Sequence, residues 1–420
     1  MAQLSDDCFA HGGPLMHFDR ALELLSERLE PVTETEELPL QAALGRVLRQ
    51  DLLSPIDVPP GDNSAVDGYA LRHADLHSEA ESRLKLVGRA AAGHPWKQEV
   101  ATGTTVRIFT GAPMPPGADT VMMQEDCTEE EGWVRIRPGI SQGANRRLSG
   151  EDIRAGTTVL PAGRVLKPVD LGQAAAIGCS RLPVSRPLRV ALLSTGDELC
   201  EPGETPGDGQ IYDSNRQVLA GLLSNLGCQV TDLGILKDES AGLAATLEET
   251  AAGHDLIVTS GGVSSGDEDH VKQAVEQAGG RLHFWRVAIK PGRPVALGQI
   301  HRVPVIGLPG NPAAVVVTFL QLARPMVLQL MGADPQRPQR LPVSANFAHR
   351  KKKDRREWVR VHITYDENGL PLAEKFAREG AGILSSLAET DGLVELPEDL
   401  TSLQPGTTVF YTPYSALFHG

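Results

Sequence analysis

The sequence predicts a multidomain protein of mixed α/β and all-β structure, with a doubly wound, mostly parallel sheet at its centre. Three observations lead to this prediction. The chain has 420 residues, more than one ordinary core accommodates. Between residues 189 and 331, β-rich apolar runs alternate with helical patterns of about 10 to 20 residues, which is typical of βαβ units. Short apolar runs separated by Gly and Pro on both sides indicate small β modules.

The first part of the chain predicts a helix and a β module. Residues 17–29 place Phe18, Leu22 and Leu25 at helical spacing with charged residues between them, as in an amphipathic helix. A Pro-rich passage leads into GDNSAVDGYA, and four short runs between residues 84 and 137 predict an all-β module. The segment 155–187 predicts a strand, a turn and a short helix that complete the layer begun by the N-terminal helix.

The central pattern begins with the strand RVALLST (189–195) and alternates strands with helices up to a last helix that starts at Asn311. Beyond Gly332, the linker ADPQRPQRLP leads to the runs REWVRVHITY, DGLVELPEDL and TTVFYTPY, which predict a second all-β module. The expected domains are an N-terminal α+β domain (1–54 and 155–187), an inserted β-rich domain (55–154), an α/β domain (188–332) and a C-terminal β-domain (335–420).

Charge and cysteine content limit the possible functions. A net charge of −14 disfavours nucleic acid and anionic membrane surfaces as partners. The five cysteines are odd in number and lack Cys-x-x-Cys spacing, which favours a reducing compartment and argues against a zinc site. We see no secretory signal, and the most apolar stretch, 313–331, contains polar residues that a membrane span would exclude. We therefore expect a soluble, cytoplasmic protein.

Three predicted strands end in turns of small residues that lead toward helices: STGDEL (194–199), TSGGVSSGDED (259–269) and GLPGNPAA (307–314). Such turns line the crevice at the carboxyl ends of the strands, where backbone N–H groups and helix N-termini bind phosphate. One such turn alone is more often an ordinary loop, but three in one sheet favour a phosphate site. In the third turn, Asn311 suits the N-cap and Pro312 the first helical position.

Carboxylates are concentrated at the same edge of the sheet. A phosphate crevice lined by acids requires a hard cation such as Mg²⁺ to bridge acid and phosphate oxygens. The alternative is that some of these acids, Asp267 or Glu268 above all, stabilise helix N-termini. The acids concerned are Asp197, Glu198, Asp208, Asp213, Asp238, Asp267, Glu268 and Asp269.

Three further turns carry polar groups. KPGRP (290–294) presents Lys290 and Arg293 on a turn stiffened by prolines, which suits a compact oxyanion, although a solvated surface turn is equally compatible. In GDNSAVDGYA, Asp67 lies beside a glycine and an aromatic ring and is a candidate general base or metal ligand. Thr110 occupies another tight turn, in IFTGAPMPPGAD.

Eight motifs together resemble one family, the molybdenum insertases, which comprise the bacterial molybdopterin molybdenumtransferases and the E domain of gephyrin. The resemblance runs from about residue 17 to the C-terminus. Its motifs are DNSAVDGYA, RIFTGAPMPPGADTVMMQED, GEDI, STGDEL, GQIYDSN, TSGGVSSGDED, FWRVAIKPGRP and GLPGNPAAV.

This resemblance implies an elongated homodimer that inserts molybdate into adenylylated molybdopterin with Mg²⁺, releasing AMP and molybdenum cofactor. Transient contacts with a molybdopterin adenylyltransferase and with apo-molybdoenzymes are also implied. The implied catalytic residues are Asp67, Thr110, Glu198, Asp238 and Asp269, of which Glu198, Asp238 and Asp269 would hold the metal. The implied binding residues are Arg147, Asp152, Ser194, Thr195, Gly196, Ser260, Gly261, Gly262, Ser264, Arg286, Lys290, Arg293, Pro309, Gly310, Asn311, Pro312, Arg360 and Ser386.

The sequence departs from the family pattern at four positions. Arg286 stands where the family has lysine, so only a charge-pairing role is transferred to it. His270 and Val271 replace a Tyr-Thr pair, and Val66 replaces a methionine. These changes concern the geometry of ligand binding and leave the implied activity class unchanged.

Two other functions compete with the insertase. A molybdopterin adenylyltransferase or nucleotide pyrophosphatase would need the α/β domain alone, so the motifs around Asp67 and Thr110 argue against it. A non-catalytic pterin-binding scaffold would bind adenylylated molybdopterin without turning it over when molybdate is added.

Overall fold

The computed structural model describes residues 15–236, 240–262, 270–334 and 338–418. Three six-stranded sheets organise the chain, and one of them, in the middle of the sequence, is flanked by helices. The predicted combination of a central α/β domain with β modules before and after it is confirmed.

The N-terminal part contains helices α1 (Phe18–Arg28) and α2 (Pro168–Ala176). Its strands are β1 (Thr35–Pro39), β2 (Leu52–Leu53), β3 (Asn63–Ser64), β4 (Gly68–Leu71), β5 (Ser82–Ala90), β6 (Thr104–Ile108), β7 (Thr120–Met123), β8 (Cys127–Glu130), β9 (Trp133–Ile136), β10 (Arg146–Arg147), β11 (Thr158–Leu160) and β12 (Arg181–Ser185). Three antiparallel pairs, β1 with β12, β2 with β11 and β3 with β10, bring the two ends of this part together. Strands β4 to β9 form a six-stranded sheet between them.

The α/β part contains helices α3 (Asn215–Asn225), α4 (Ser240–Gly253), α5 (His270–Gln277), α6 (Pro312–Thr318) and α7 (Arg324–Leu330). Its strands are β13 (Arg189–Thr195), β14 (Leu199–Cys200), β15 (Ile211–Tyr212), β16 (Gln229–Leu236), β17 (Leu256–Ser260), β18 (Gly280–Arg286), β19 (Ile289–Lys290), β20 (Pro294–Ile300) and β21 (Val303–Leu308). Six of these strands form one sheet in the order β16-β13-β17-β21-β20-β18.

This sheet is mostly parallel, as the sequence predicted, and a single reversed strand, β20, makes it mixed. Strands β16, β13, β17 and β21 pair in parallel with one another, but β20 is antiparallel to both β21 and β18. The physical reason is the short connections, because β20 and β21 are joined by only His301 and Arg302, a length that permits only antiparallel pairing.

Alternating residues of β13 face two separate cores, as a doubly wound sheet requires. Val190 and Leu192 pack with α3, α6 and α7 on one face, while Ala191 and Leu193 pack with α4 and α5 on the other. The helical segment 312–330 is long and apolar enough to span a membrane by composition, but 83% of its apolar window is buried in the protein. It forms the interior of the first core, with a π-helical turn between α6 and α7.

The C-terminal part is all-β apart from two short helices, as predicted. Its elements are β22 (Leu341–Ala345), β23 (His349–Arg350), β24 (Arg356–Tyr365), β25 (Pro371–Lys375), α8 (Ser385–Ala388), β26 (Gly392–Leu396), β27 (Ser402–Leu403), β28 (Thr408–Pro413) and α9 (Tyr414–Leu417). Pairing of β24 with both β25 and β26 closes five of the strands into a small barrel. Strand β19 of the α/β part adds to β24 in parallel, so the KPGRP turn lies against the C-terminal barrel.

Candidate functional site

The three predicted phosphate turns start from strand ends that lie in register. Ser194 is opposite Ser260 in the pairing of β13 with β17, and Ser260 is opposite Leu308 in the pairing of β17 with β21. The turns that follow these residues therefore leave the sheet at the same edge. This confirms, for the described residues, the placement that the strand order of an α/β sheet dictates.

Glycine is required where these turns approach one another. Gly261 has φ +85°, and a Cβ atom there would lie 2.5 Å from the carbonyl oxygen of Thr195. Gly262 has φ +62°, and its Cβ would lie 2.6 Å from Thr195 Oγ1. A Cβ on Gly310 would lie 3.9 Å from the Cα of Gly261. The backbones are thus close enough to present N–H groups together to one ligand.

Asn215, which sequence reasoning did not select, ties two of these turns together. Its Nδ2 donates to Ser260 Oγ at 3.0 Å and to the carbonyl oxygen of Gly310 at 2.7 Å. Within the described ranges, Ser194 Oγ, Thr195 Oγ1 and Asn215 Oδ1 are buried and have no hydrogen-bond partner. Buried polar atoms are almost always paired, so this group of orphaned oxygens suits a bound polar ligand. The motif GQIYDSN contains Asn215 as well as Asp213, so the motif is the sequence signal that could have identified this residue.

The third turn has the predicted helix start with one difference. Asn311 occupies the N-cap position of α6 and Pro312 its first turn, but the Asn311 side chain makes no capping hydrogen bond. Pro309, Gly310 and Asn311 instead line a cavity of about 510 Å³. Ser264, predicted to bind ligand from the second turn, lies outside the described residues.

The acids at this edge have different environments. Glu198 is exposed, and its Oε2 lies 2.5 Å from the position of a Cβ on Gly196, so its carboxylate folds back over the first turn. Asp213 is buried and paired with Arg216 Nε at 3.0 Å, which gives it a structural role. Asp238 and Asp269, the other two predicted metal ligands, lie outside the described residues. In the described part of the chain, no group of three His, Cys, Asp or Glu residues is arranged to hold a metal.

A second cavity, of about 420 Å³, lies between the KPGRP turn and the C-terminal barrel. It shares Gly292, Arg293 and Ala381 with the cavity at the third phosphate turn, so the two cavities adjoin, and the second is called the cleft from here on. The described lining is strongly cationic, with two carboxylates, Glu357 and Glu379. Its basic side chains are Lys290, Arg293, Arg355, Arg360, Lys375 and Arg378.

Repulsion and burial both act on the cations of this cleft. The pKa of Arg293 is lowered by burial and by the charges of Arg355 and Arg286. Burial also lowers the pKa of Arg360, whose guanidinium donates to the carbonyl oxygen of Gly380 at 3.1 Å. An anion in the cleft would relieve this repulsion. The structure therefore brings Lys290, Arg293 and Arg360 together in the cleft, with Arg286 near enough for its charge to act on Arg293. Their binding of a ligand stays a prediction.

Ser386, predicted to bind molybdate, is fully buried on α8. Its hydroxyl donates to the carbonyl oxygen of Ile383 at 2.5 Å, and its own carbonyl accepts a hydrogen bond from Thr390. These hydrogen bonds connect Ser386 to the residues just before and after α8, and its predicted role in binding molybdate stays a prediction.

Asp67 and Thr110 meet in the inserted module. The backbone N–H and the hydroxyl of Thr110 both donate to Asp67 Oδ1 at 2.8 Å. These two bonds, the backbone one first, lower the pKa of Asp67, and the charge of Arg107 adds to the effect. The described contacts include no hydrogen bond or ion pair from this module to the α/β sheet. Arg147 and Asp152 are exposed in the same module, at the end of β10 and in the following turn.

Three regions of the chain match known protein families, in the same order as the parts of the fold described above. Residues 16–178 match the MoeA N-terminal region (domains I and II), 191–329 match a probable molybdopterin-binding domain, and 342–414 match the MoeA C-terminal region (domain IV). A molybdopterin molybdenumtransferase of Haemophilus influenzae is 36% identical over 405 residues, which cover 96% of this chain and 100% of that protein. The chain belongs to the MoeA family.

Other MoeA relatives extend the similarity along nearly the whole chain. Molybdopterin molybdenumtransferase 2 of Mycobacterium tuberculosis is 36% identical over 92% of this chain and 96% of its own length. A crystal structure of a molybdopterin biosynthesis MoeA protein from Pyrococcus horikoshii superposes with a TM-score of 0.82 at 30% identity, covering 96% of this chain and 100% of that one. The family resemblance predicted from the motifs is thus confirmed.

Several polar residues of the MoeA cleft were missed by sequence reasoning. His349, Glu357 and Lys375 lie on three strands of the C-terminal barrel and meet only through strand pairing. The basic run at 350–353 marks this region, but its residues are not the ones that line the cleft. A periodic pattern cannot identify such a group, because its members are brought together by tertiary structure.

Proposed function

We propose that this protein is a molybdenum insertase, a transferase that inserts molybdate into adenylylated molybdopterin and releases AMP and molybdenum cofactor. The observation that carries the proposal is the pair of adjoining cavities, one at the GLPGNP turn and one, strongly cationic, between the KPGRP turn and the C-terminal barrel. A substrate with two phosphates and a second, oxyanionic substrate need two adjacent anion sites, and these two cavities offer them. The names of the MoeA relatives support the same reaction.

The phosphates of the pterin substrate are proposed to bind at the three small-residue turns that follow β13, β17 and β21. Thr195, Gly261, Gly262 and Gly310 let backbone groups approach closely, and the orphaned hydroxyls add donors. Glu198, with Asp238 and Asp269, is proposed to hold Mg²⁺, whose oxygen-ligand preference suits these carboxylates. When bound, the ion would neutralise phosphate oxygens as the phosphoanhydride is cleaved.

Molybdate belongs on the cationic side of the cleft. Lys290, Arg293 and Arg360 supply positive charge there, with Arg286 nearby. Their fixed donors would hold the oxyanion beside the sulfur atoms of the pterin. The partial burial of Arg360 strengthens its attraction for an anion because less water screens the charge.

Asp67 is proposed to act from a second subunit of a homodimer. The Asp67–Thr110 pair is a polar site in the inserted module that no described hydrogen bond or ion pair connects to the cleft of its own chain. Arg147 and Asp152 would accompany it on that module. Transient contacts with a molybdopterin adenylyltransferase and apo-molybdoenzymes, and a cytoplasmic location, complete the proposal.

Mixing two inactive variants tests the shared site. Asp67→Ala and Lys290→Met should each lose molybdate-dependent AMP release, and a mixture allowed to exchange subunits should recover part of it. Recovery requires that one hybrid site carries both native residues. Full activity of Asp67→Ala alone would refute the role of Asp67, and no recovery on mixing would refute the sharing of the site between chains.

A further inference from the structure

A row of hydrogen-bonded polar side chains, largely buried, lies behind Lys290 in the cleft. Lys290 Nζ is 3.2 Å from Glu357 Oε2, and the same oxygen is 3.0 Å from His349 Nε2. The other ring nitrogen, His349 Nδ1, is 3.1 Å from Lys375 Nζ, and Lys375 pairs in turn with Glu379. The Lys290 side chain is 48% exposed, whereas those of Glu357 and His349 are 4% and 5% exposed. In this row of side chains, the two end members, Lys290 and Glu379, are the ones well exposed to the solvent of the cleft.

The contacts determine where the imidazole proton lies. A lysine ammonium group has donors and no acceptor, so His349 Nδ1 must accept from Lys375. The proton of a neutral imidazole is then on Nε2, from which it is donated to Glu357. A doubly protonated ring could not accept from Lys375. The cationic neighbour and the carboxylate together select one neutral tautomer.

The backbone reinforces the same connection. Lys290 and Glu357 are register partners in the parallel pairing of β19 with β24, the pairing that joins the α/β part to the C-terminal barrel. Burial disfavours the charged form of Glu357, but the hydrogen bonds from His349 and Lys290 outweigh it and lower the pKa of this carboxyl group. A charged, buried carboxylate with two fixed donors can orient a lysine much as outer-shell ligands orient a metal ligand.

Resting on the proposed function, we infer that Glu357 is a positioning residue that holds Lys290 in place for the oxyanion, and that neutral His349 fixes Glu357. Glu357 acts through Lys290 in this account, since the half-exposed ammonium group stands between the buried carboxylate and the open cleft. The positioning of Lys290 depends on the length of the Glu357 side chain as well as on its charge. A shorter carboxylate would keep the charge and lose the position.

The substitution Glu357→Asp separates these two properties. We expect it to weaken the binding of molybdate, measured by titration calorimetry on the full chain, by roughly tenfold. In a Lys290→Met background, Glu357→Asp should have no further effect, because the group it positions is gone. Glu374→Asp is the matched control, since Glu374 lies on the neighbouring strand β25, contacts Thr364 and does not line the cleft.

Wild-type affinity in Glu357→Asp, or a loss that adds fully to that of Lys290→Met, would overturn the inference. The tautomer is measured independently on the wild-type protein by ¹⁵N NMR of the histidine rings, with the His349 signal assigned by its loss in His349→Gln. A proton on Nδ1, or on both nitrogens, would also overturn it. Molybdate binding without molybdate-dependent AMP release would refute the proposed function and leave the positioning of Lys290 testable by the same titrations.

Discussion

Thr110 donates two hydrogen bonds to a single oxygen of Asp67, one from its backbone N–H and one from its hydroxyl, both at 2.8 Å. The two hydrogen bonds favour the ionised form of Asp67. Both go to Oδ1, so Oδ2 makes no hydrogen bond to Thr110. A carboxylate fixed in this way can accept a proton or orient a cation, which is the role proposed for it at the cleft of the partner subunit.

Replacing Thr110 by Val should raise the pKa of Asp67 toward its ordinary value. The hydroxyl donor is lost, while the backbone donor, which has the larger effect on the pKa, remains. Titration of the Asp67 carboxyl carbon by NMR measures the shift, and Thr128→Val in strand β8 of the same module is a control for the substitution itself. An Asp67 pKa equal to that of the wild type would contradict the assigned cause.

Asp255 should contribute to acid stability. Burial alone would raise its pKa, but hydrogen bonds from Arg186 and Arg189 outweigh burial and lower the pKa to about 2. A lowered folded-state pKa stabilises the protein above the unfolded-state pKa, and this stabilisation is lost as the pH falls through the folded-state value. Asp255→Asn should therefore cost about 1 to 2 kcal/mol at pH 7, allowing for the partial exposure of Arg189.

Urea unfolding of the wild type and Asp255→Asn between pH 7 and pH 2 checks this prediction. The difference in unfolding free energy should be constant above about pH 4 and shrink toward pH 2. A difference that grows on acidification would contradict the sign of the linkage.

Asn215 should be sensitive to the exchange of its amide for a carboxylate. Asn215→Asp would place an acceptor against the carbonyl oxygen of Gly310 at a distance of 2.7 Å, where the native amide donates. We expect Asn215→Asp to destabilise the protein more than Asn215→Ala does, by about 1 to 3 kcal/mol, because it sets a buried carboxylate against a carbonyl oxygen that cannot donate to it. Thermal unfolding of both variants measures this order, and equal stability of the two would refute the proposed hydrogen bond.

Gly261→Ala should disturb the phosphate turns through steric contact. The added Cβ would lie 2.5 Å from the carbonyl oxygen of Thr195, at a backbone φ of +85°. Gly209 has a similar φ of +78°, but a Cβ there would have no atom within 4 Å. Gly209→Ala therefore measures only the cost of a positive φ for alanine, about 1 to 2 kcal/mol of unfolding free energy. Gly261→Ala should lower the denaturation midpoint clearly further and weaken phosphate binding. Equal midpoints for the two variants would contradict the close approach of the turns.

The sequence predicted the elements of the α/β part closely, since β13 has the same residues as the run RVALLST, and the last helical segment begins at Pro312 with Asn311 at its N-cap position. Apolar runs and helical periodicity identify such elements because they depend on local residues. The antiparallel direction of β20 does not follow from its apolar run, which is compatible with either orientation. It follows from the two-residue connection between β20 and β21, a signal that the sequence analysis did not use.

The candidate site was predictable where it consists of turns and not where it depends on tertiary pairing. Gly261 and Gly310 belong to motifs that signal tight turns on their own. Glu357 and His349 reach Lys290 only because β24 adds to β19 and the barrel closes, and nothing in the local sequence of either residue indicates this contact. Asp213 was expected among the acids at the ligand edge of the sheet, but its side chain is buried and paired with Arg216, which the motif GQIYDSN alone does not indicate.

The most direct test measures AMP release and molybdenum transfer in one reaction. Purified protein is incubated with adenylylated molybdopterin and Mg²⁺, with and without molybdate, and the product is offered to a molybdenum-free apo-enzyme. The proposed function predicts AMP release that depends on molybdate, with one AMP released for each molybdenum that activates the apo-enzyme. AMP release at the same rate without molybdate, or binding of the substrate with no turnover, would contradict it.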